Sequence, residues 1–190
     1  MKKLIMMAAL LVATLSASAQ GMFIKPMAGG TLSTQTGDVH DLKFRPGFVG
    51  GAELGYQVND YFALTAGALY SMQGARFDND KTKYNINVDY LNVPIMLAVY
   101  PVKEFGIKVG AQFGFLMKAK EGDESIKDAY NKKDFSIPVG LSYEFDEVAL
   151  DFRYNIGLSN IVNKDIADAL GTKVHNSVFM LTIGYKIPLY

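Results

Sequence analysis

Residues 105–118 read FGIKVGAQFGFLMK, and every second residue from Phe105 to Met117 is apolar. Glycine, lysine, glutamine and one leucine occupy the positions between them. A repeat of two residues is the period of a β-strand, because successive side chains of a strand point to opposite faces. The stretch therefore predicts a strand with one oily face and one largely polar face, the latter carrying Lys108 and Lys118.

The same alternation recurs along most of the chain. It is found in seven further segments, residues 22–33, 48–58, 62–73, 91–99, 135–145, 148–156 and 179–189. We predict eight strands from this pattern. In the first strand, where the pattern is weakest, the predicted inner positions are Lys25, Met27, Gly29 and Thr31.

Short and long connections alternate between the predicted strands. The short ones are Asn59-Asp60, Val102 to Glu104 and Asp146-Glu147, which are typical of turns between antiparallel neighbours. The long ones are polar and cover residues 34–45, 78–84, 119–133 and 159–173. This order predicts an all-β fold, an eight-stranded antiparallel up-and-down barrel with its long loops at one end. In the last loop, residues 165–170 predict one helical turn that ends at Gly171.

The composition of the less apolar face decides whether the barrel lies in water or in a membrane. That face mixes glycines with the polar residues Lys25, Glu53, Gln57, Gln73, Asn92, Lys108, Gln112, Glu144, Asp151, Arg153, Asn155 and Lys186. Glycine weakens a solvent-facing strand without benefit, but in a narrow lumen it leaves room for large charged side chains. The mixture therefore favours a transmembrane barrel over a soluble carrier that buries its apolar face.

Aromatic residues support the same choice. Tyr56, Phe62, Phe105 and Phe145 fall beside the tight turns on the apolar face, where a ring belt would meet lipid headgroups. The chain has no tryptophan, so tyrosine and phenylalanine must form this belt alone.

The first residues have the pattern of an export signal. Lys2 and Lys3 precede an apolar stretch from Leu4 to Leu15, and Ala17-Ser18-Ala19 supplies small residues for cleavage. We predict a signal peptide over residues 1–19 and a mature barrel domain over residues 20–190, exported through the periplasm to the cell outer membrane of a Gram-negative bacterium. Lysine and arginine balance aspartate and glutamate at 19 each, which gives nucleic-acid binding no electrostatic support.

The predicted lumen contains charges of both signs. Glu53, Glu144 and Asp151 are available to pair with Lys25, Lys108, Arg153 and Lys186, because an unpaired charge in such an interior is costly. We interpret this set as a lumen polar network that plugs the barrel and holds its register. A proton or ion relay is the alternative. Eight strands enclose a space that side chains nearly fill, so we expect no continuous channel.

No residue pattern indicates a catalytic, cofactor-binding or metal site, and we expect the protein not to be an enzyme. The two histidines, His40 and His175, lie in or beside predicted loops, with Ser33, Asp38, Asp41 and Ser177 nearby in sequence. No spacing among them matches a nucleophile motif. Cysteine is absent, which excludes disulfides and thiolate chemistry. The charged loop over residues 118–133 is open to divalent ions, lipopolysaccharide or a partner.

The last strand resembles the C-terminal targeting signal of outer-membrane barrels. A polar residue and a glycine two positions later precede alternating apolar residues and a terminal aromatic, namely Thr182, Gly184, Ile187, Leu189 and Tyr190. The resemblance implies that the barrel-assembly machinery recognises this strand.

Two internal stretches resemble motifs of the PorT-like outer-membrane β-barrel family. Residues 90–97, YLNVPIML, are similar to the family's YLEIPLLLK strand, and residues 153–161, RYNIGLSNI, are similar to its RYxxGLTNI segment. The chain departs from these motifs at Asn92, where glutamate is frequent, at Ala98, where lysine or tyrosine is frequent, and at Ser159, where threonine is usual. The resemblance implies a small outer-membrane barrel. It leaves open an extracellular or secretion-system protein partner, which no residue here identifies.

The sequence thus predicts a small outer-membrane barrel with a structural or interaction role, whose loops meet partners or lipid. Two alternatives remain at this point. One is a narrow porin-like transport barrel for small solutes, and the other is an outer-membrane enzyme that acts on lipid or peptide.

Overall fold

The computed structural model describes residues 21–38, 42–79, 82–122 and 124–189. Within these ranges eight long antiparallel strands form the barrel: β1 (Met22–Gly37), β2 (Arg45–Asn59), β3 (Phe62–Asn79), β4 (Thr82–Val102), β5 (Phe105–Glu121), β6 (Lys133–Phe145), β7 (Val148–Gly157) and β8 (Val174–Tyr185). Each strand pairs with the one before it, and β8 pairs with β1 from Met27↔Gly184 to Gly37↔Val174. The predicted up-and-down barrel is confirmed.

Most apolar side chains of the strands point outward, and most polar side chains point into the lumen. Ile107 and Val109 are each 47% exposed, whereas Lys108 between them is 2% exposed. The same alternation holds along β7, where the side chains of Phe152 and Arg153 lie on opposite faces. A soluble barrel has the reverse arrangement, so the soluble-carrier alternative is wrong. Among the described residues, no helix has the length and apolar composition needed to cross a membrane.

The tight turns form as predicted, each for a local reason. The Asn59 side chain accepts hydrogen bonds from the backbone N–H groups of Tyr61 and Phe62, both at 2.9 Å, and so closes the turn between β2 and β3. Val102 pairs with Phe105 across a two-residue turn, and Phe145 pairs with Val148 across another. In that last turn Asp146 adopts a φ of 51°, a left-handed conformation that aspartate tolerates.

Three of the four long connections are shorter than the sequence predicts. β3 and β4 stay paired to Asn79↔Thr82, so most of the predicted loop 78–84 is strand. Polar side chains do not end an antiparallel ladder, because its hydrogen bonds join backbone groups. Two-residue strands at Leu42–Lys43 and Glu124–Ser125 pair with β3 and β5. The predicted helical turn is confirmed as α1 (Lys164–Leu170), which ends at Gly171 with a φ of 64°.

A bulge in β5 changes which way its outer end faces. Tyr90 pairs with Leu116 and Asp89 pairs with Lys118, which leaves Met117 without a partner in the register. One extra residue reverses the alternation beyond it. Lys118, predicted on the inner face, is therefore exposed, while Ala119 is 1% exposed. The inward prediction for Lys118 is wrong.

The lumen is layered rather than uniformly polar. Met27, Val49, Leu69 and Met180 form an apolar cluster across its middle. A second apolar cluster lies beneath the long loops and contains Val88, Tyr90, Leu116 and Ala119. The inward positions of Val49, Leu69 and Met180 follow from strand alternation, but their apolar character makes them look like outer-face residues in the sequence.

We predict that Val109→Lys lowers the free energy of unfolding in lipid vesicles by about 2–4 kcal/mol, because it places a charge on the outer face within the hydrocarbon core. Val102→Lys is the matched control, since Val102 is exposed beside a tight turn, where the cost is about 0–1 kcal/mol. Urea titration followed by the gel mobility of folded and unfolded protein measures both. Equal losses in the two variants would contradict the outward orientation of β5.

Candidate functional site

Five charged side chains meet in the lumen toward the tight-turn end. They come from four strands: Lys25 on β1, Glu53 on β2, Lys108 on β5, and Asp151 and Arg153 on β7. Each residue is at most 2% exposed. We refer to these five residues as the lumen charge cluster.

Every member of the lumen charge cluster contacts at least one opposite charge. Arg153 donates from Nη1 to Glu53 Oε1 at 2.5 Å and from Nη2 to Glu53 Oε2 at 2.9 Å. Lys25 Nζ donates to Asp151 Oδ2 at 2.7 Å and lies 3.3 Å from Glu53 Oε2. Lys108 Nζ donates to Asp151 Oδ1. Lys25 therefore joins the two carboxylates, and the contacts of Asp151 and Arg153 link β7 to strands that are not its neighbours in the sheet.

Glycines on adjacent strands make room for the cluster. A Cβ added to Gly67 would lie 2.6 Å from Glu53 Cγ, one at Gly184 would lie 3.0 Å from Lys25 Cγ, and one at Gly140 would lie 3.1 Å from Arg153 Cγ. Contacts under about 3.4 Å require the neighbouring atoms to move. The sequence places a residue without a side chain beside these three long ones, so their stems can fold across the lumen.

The other two predicted members of the polar network lie apart from the cluster. Lys186 Nζ is 3.0 Å from Glu144 Oε2, and the pair is partly exposed at the tight-turn mouth of the barrel. Tyr100 OH donates to Glu144 Oε1 at 2.7 Å, and Lys186 Nζ lies 4.4 Å from the centre of the Phe23 ring. The sequence analysis missed Tyr100, although extending the inner alternation of β4 by two residues beyond Ala98 would have found it.

The loops at the opposite end interlock over the barrel. Asn131 Nδ2 donates to the carbonyl oxygens of Asn160 at 2.8 Å and Val162 at 2.7 Å, and Asn163 Nδ2 donates to that of Asp128 at 3.0 Å. These contacts join the β5–β6 loop to the β7–β8 loop. Ile161 is fully buried between them. We call the segments 128–132 and 160–163 the loop platform, which the sequence analysis did not predict.

The loop platform is also tied to the barrel wall. Gln35 Nε2, on β1, donates to Tyr130 OH at 3.2 Å, and Tyr130 pairs with Val162 in an isolated β-bridge. Ile126 and Tyr130 pack against the apolar cluster beneath the loops. The outer end of the lumen is therefore covered by packed and hydrogen-bonded loop residues.

The residues considered for catalysis point to separate partners where they are described. His175 Nδ1 lies 2.9 Å from the carbonyl oxygen of Ser159, and Ser177 Oγ lies 2.9 Å from Tyr154 OH. Ser33 Oγ donates to the carbonyl oxygen of Gly74 at 2.9 Å, and Asp38 Oδ2 accepts from the backbone N–H of Lys173 at 2.8 Å. His40 and Asp41 lie outside the described residues, as does the predicted signal peptide over residues 1–19.

No group of three or more potential metal-ligating His, Cys, Asp or Glu side chains occurs in the described part of the chain. The charged loop over residues 118–133 thus shows no cation site in its described residues, which exclude Asp123.

The C-terminal segment lies at the seam where the barrel closes. Thr182 and Gly184 face the lumen, and Ile187 and Leu189 face outward, paired with Ile24 and Met22 of β1. Tyr190 lies outside the described residues. The role of this strand as a targeting signal stays a prediction.

The fold matches known outer-membrane barrels. A family model described as "Outer membrane protein beta-barrel domain" matches residues 14–163. Ail, the attachment invasion locus protein of Yersinia pestis, solved in complex with the heparin analogue sucrose octasulfate, has a TM-score of 0.52 at 15% identity; the match covers 87% of this chain and 99% of Ail. Neisserial surface protein A has a TM-score of 0.51 at 13% identity, covering 89% of this chain and 97% of its own. The search of curated proteins found no significant match.

We predict that Glu53→Gln lowers the free energy of unfolding by about 3–5 kcal/mol, because it leaves Arg153 and Lys25 without a full counter-charge in the lumen. Glu144→Gln is the control: it removes an inward carboxylate from a partly exposed pair and should cost about 1 kcal/mol or less. Urea unfolding in vesicles measures both variants. A Glu53 variant as stable as the Glu144 variant would rule out a stabilising role for the cluster.

We further expect Asn131→Ala to loosen the loop platform, because one side chain supplies two of the hydrogen bonds that join its loops. Hydrogen exchange of residues 128–132 and 160–163 should become faster while exchange in β6 and β7 stays unchanged. Asn85→Ala, on the exposed outer face of β4, is the control and should leave all of these rates as they are. Unchanged exchange in the Asn131 variant would mean that other contacts hold the loops.

Proposed function

Because the chain belongs to the outer membrane protein beta-barrel domain family, we propose that it is a non-conducting outer-membrane barrel that uses its ordered outer loops as an interaction surface. In outer-membrane barrels of this type the long loops face the outside and the tight turns face the periplasm. The loop platform then faces the cell exterior, and the mouth lined by Tyr100, Glu144 and Lys186 faces the periplasm.

The lumen charge cluster is the observation that carries this proposal. Its five side chains reach across the barrel from β1, β2, β5 and β7, and each is at most 2% exposed. The apolar layer of Met27, Val49, Leu69 and Met180 covers it on the side of the long loops. A solute path along the axis would have to cross both layers, and opening them would break paired, dehydrated charges.

The loop platform supports the interaction role. An adhesive or partner-binding surface benefits from being ordered before it binds, since less conformational entropy is then lost on association. The hydrogen bonds of Asn131 and Asn163 supply that order without closing off the exposed residues around them. The platform therefore suits contact with an extracellular or secretion-system protein. We assign it no enzymatic activity.

Export and assembly complete the proposal. The chain is synthesised with a signal peptide over residues 1–19, crosses the periplasm, and is inserted by the barrel-assembly machinery through its C-terminal strand. The PorT-like affiliation rests on the two motifs at residues 90–97 and 153–161.

We predict that purified, folded protein in planar bilayers gives no large, steady conductance, and that liposomes containing it do not swell in small sugars. Heat-modifiable gel migration should first show that the sample is folded, and a general porin run in parallel should conduct. A steady conductance from the folded protein would overturn the plugged lumen and favour the narrow transport barrel.

A further inference from the structure

A strip of cationic and amide side chains lies on the outer face of β3, β4 and β5 at their loop-facing ends. In the sheet register Arg76 is opposite Asn85, Asn87 is opposite Lys120, and Asp89 is opposite Lys118. We call Arg76, Lys118 and Lys120, with the two asparagines between them, the basic strip. Neighbouring strands are about 4.8 Å apart, so the strip is about 10 Å wide from β3 to β5.

The β5 bulge creates this strip. If β5 continued its regular alternation past Met117 without the bulge, Lys118 and Lys120 would face the lumen and Ala119 would face outward. The bulge instead buries Ala119 and directs both lysines to the same face as Arg76. The direction of both lysine side chains is thus set by the backbone of a paired strand and not by a loop.

Within the described residues, no acidic side chain is paired with the cations of the basic strip. Arg76, Lys118 and Lys120 make no salt bridge or side-chain hydrogen bond within the described parts of the chain. The acid on the same face, Asp89, is 2% exposed and accepts a hydrogen bond from Tyr70 OH at 2.7 Å. Glu121 lies on the opposite face of β5 from Lys120, because it pairs with Ile86. Three adjacent positive charges are therefore available to an external anion.

The strip borders the lipid-facing surface directly. On the side of the tight turns it is followed by the outward residues Tyr70, Phe115 and Met117, which are 40%, 38% and 51% exposed. Long basic side chains at this boundary can keep their stems on apolar surface while their charged ends reach the headgroup layer. The basic strip therefore lies at the depth of the lipid phosphate groups, below the loops that a soluble partner would contact first.

The opposite half of the same rim has a different chemistry. There the outer ends of β7 and β8 and the segment before β2 carry aromatic rings, with Tyr154 and Phe44 at 4.5 Å and 5.9 Å from Phe179 between ring centres. The basic strip thus lies on strands other than those that carry these three rings.

We propose that the basic strip is a binding site for the phosphate groups of an outer-leaflet lipid, held by Arg76, Lys118 and Lys120. A guanidinium and ammonium groups form strong charge-assisted hydrogen bonds with phosphate oxygens, and Asn85 and Asn87 supply neutral donors between them. The site fixes one side of the barrel against anionic lipid and leaves the loop platform free. It rests on the proposed orientation with the long loops outside, but not on the lumen being closed.

The test uses nanodiscs of phosphatidylcholine containing a small fraction of lipid A, from which the folded protein is extracted in mild detergent and its retained lipid is counted by native mass spectrometry. The test variant is Arg76→Gln with Lys118→Gln and Lys120→Gln. The matched control removes three other exposed charges, Lys103→Gln with Lys164→Gln and Lys173→Gln. Heat-modifiable migration shows that each variant is folded, and single replacements serve if the triple variant does not fold.

We expect the native protein and the control to retain lipid A. The strip variant should retain at least about tenfold less, because it loses the attraction of three cations to the lipid phosphates. Dephosphorylated lipid A should be retained poorly by all three proteins. Equal retention by the strip variant and the native protein, or an equal loss in the control, would overturn the proposal. Conductance of the same samples separately tests the closed lumen, so the two failures are distinguishable.

Discussion

The pairing of five charged side chains in a dehydrated lumen is the constraint on which the rest of the barrel depends. Glu53 and Asp151 are stable there only if Arg153, Lys25 and Lys108 reach them, because an isolated charge in such an environment is very costly. The contacts of Asp151 and Arg153 join β7 to strands that are not its neighbours, so they constrain how the sheet curls. Small residues on adjacent strands follow from this need, since the stems require space.

One alternation along each strand supplies both the lipid-facing surface and the filling of the lumen. Each strand exposes apolar residues to lipid while its remaining side chains fill the interior in layers, first the ion pairs and then Met27, Val49, Leu69 and Met180. Because the interior is filled, the specific features of this protein lie at its ends. The loop platform at one end and the partly exposed Glu144–Lys186 pair at the other are where it can meet other molecules.

The loop-end rim lies between the lipid-facing surface and the outer loops, and its two halves differ in chemistry. Aromatic rings around Phe179 occupy one half, and the basic strip occupies the other. An asymmetric rim gives the barrel a preferred side toward a charged lipid layer. Orientation of this kind would present the loop platform in a consistent way to a partner approaching from outside.

The sequence by itself determined the strands, their faces and their turns. Alternation with a period of two is a local property, and it correctly placed Lys108, Asp151 and Arg153 inside and Ile107 outside. Turn residues such as Asn59 bond to residues next to them in the sequence, so the turns could also be predicted from the sequence. The contacts of each inner residue were decided only by the closed barrel. The stagger and tilt of the strands determine which side chain lies opposite it across the lumen.

Tertiary structure alone decided the rest, for the same reason. It divided the polar residues into two groups, added Tyr100 to one of them, and turned Lys118 outward through a bulge. It also joined Asn131 to a loop about thirty residues away. These outcomes depend on contacts between distant segments, whereas the period-two pattern records only which face of its own strand a residue occupies.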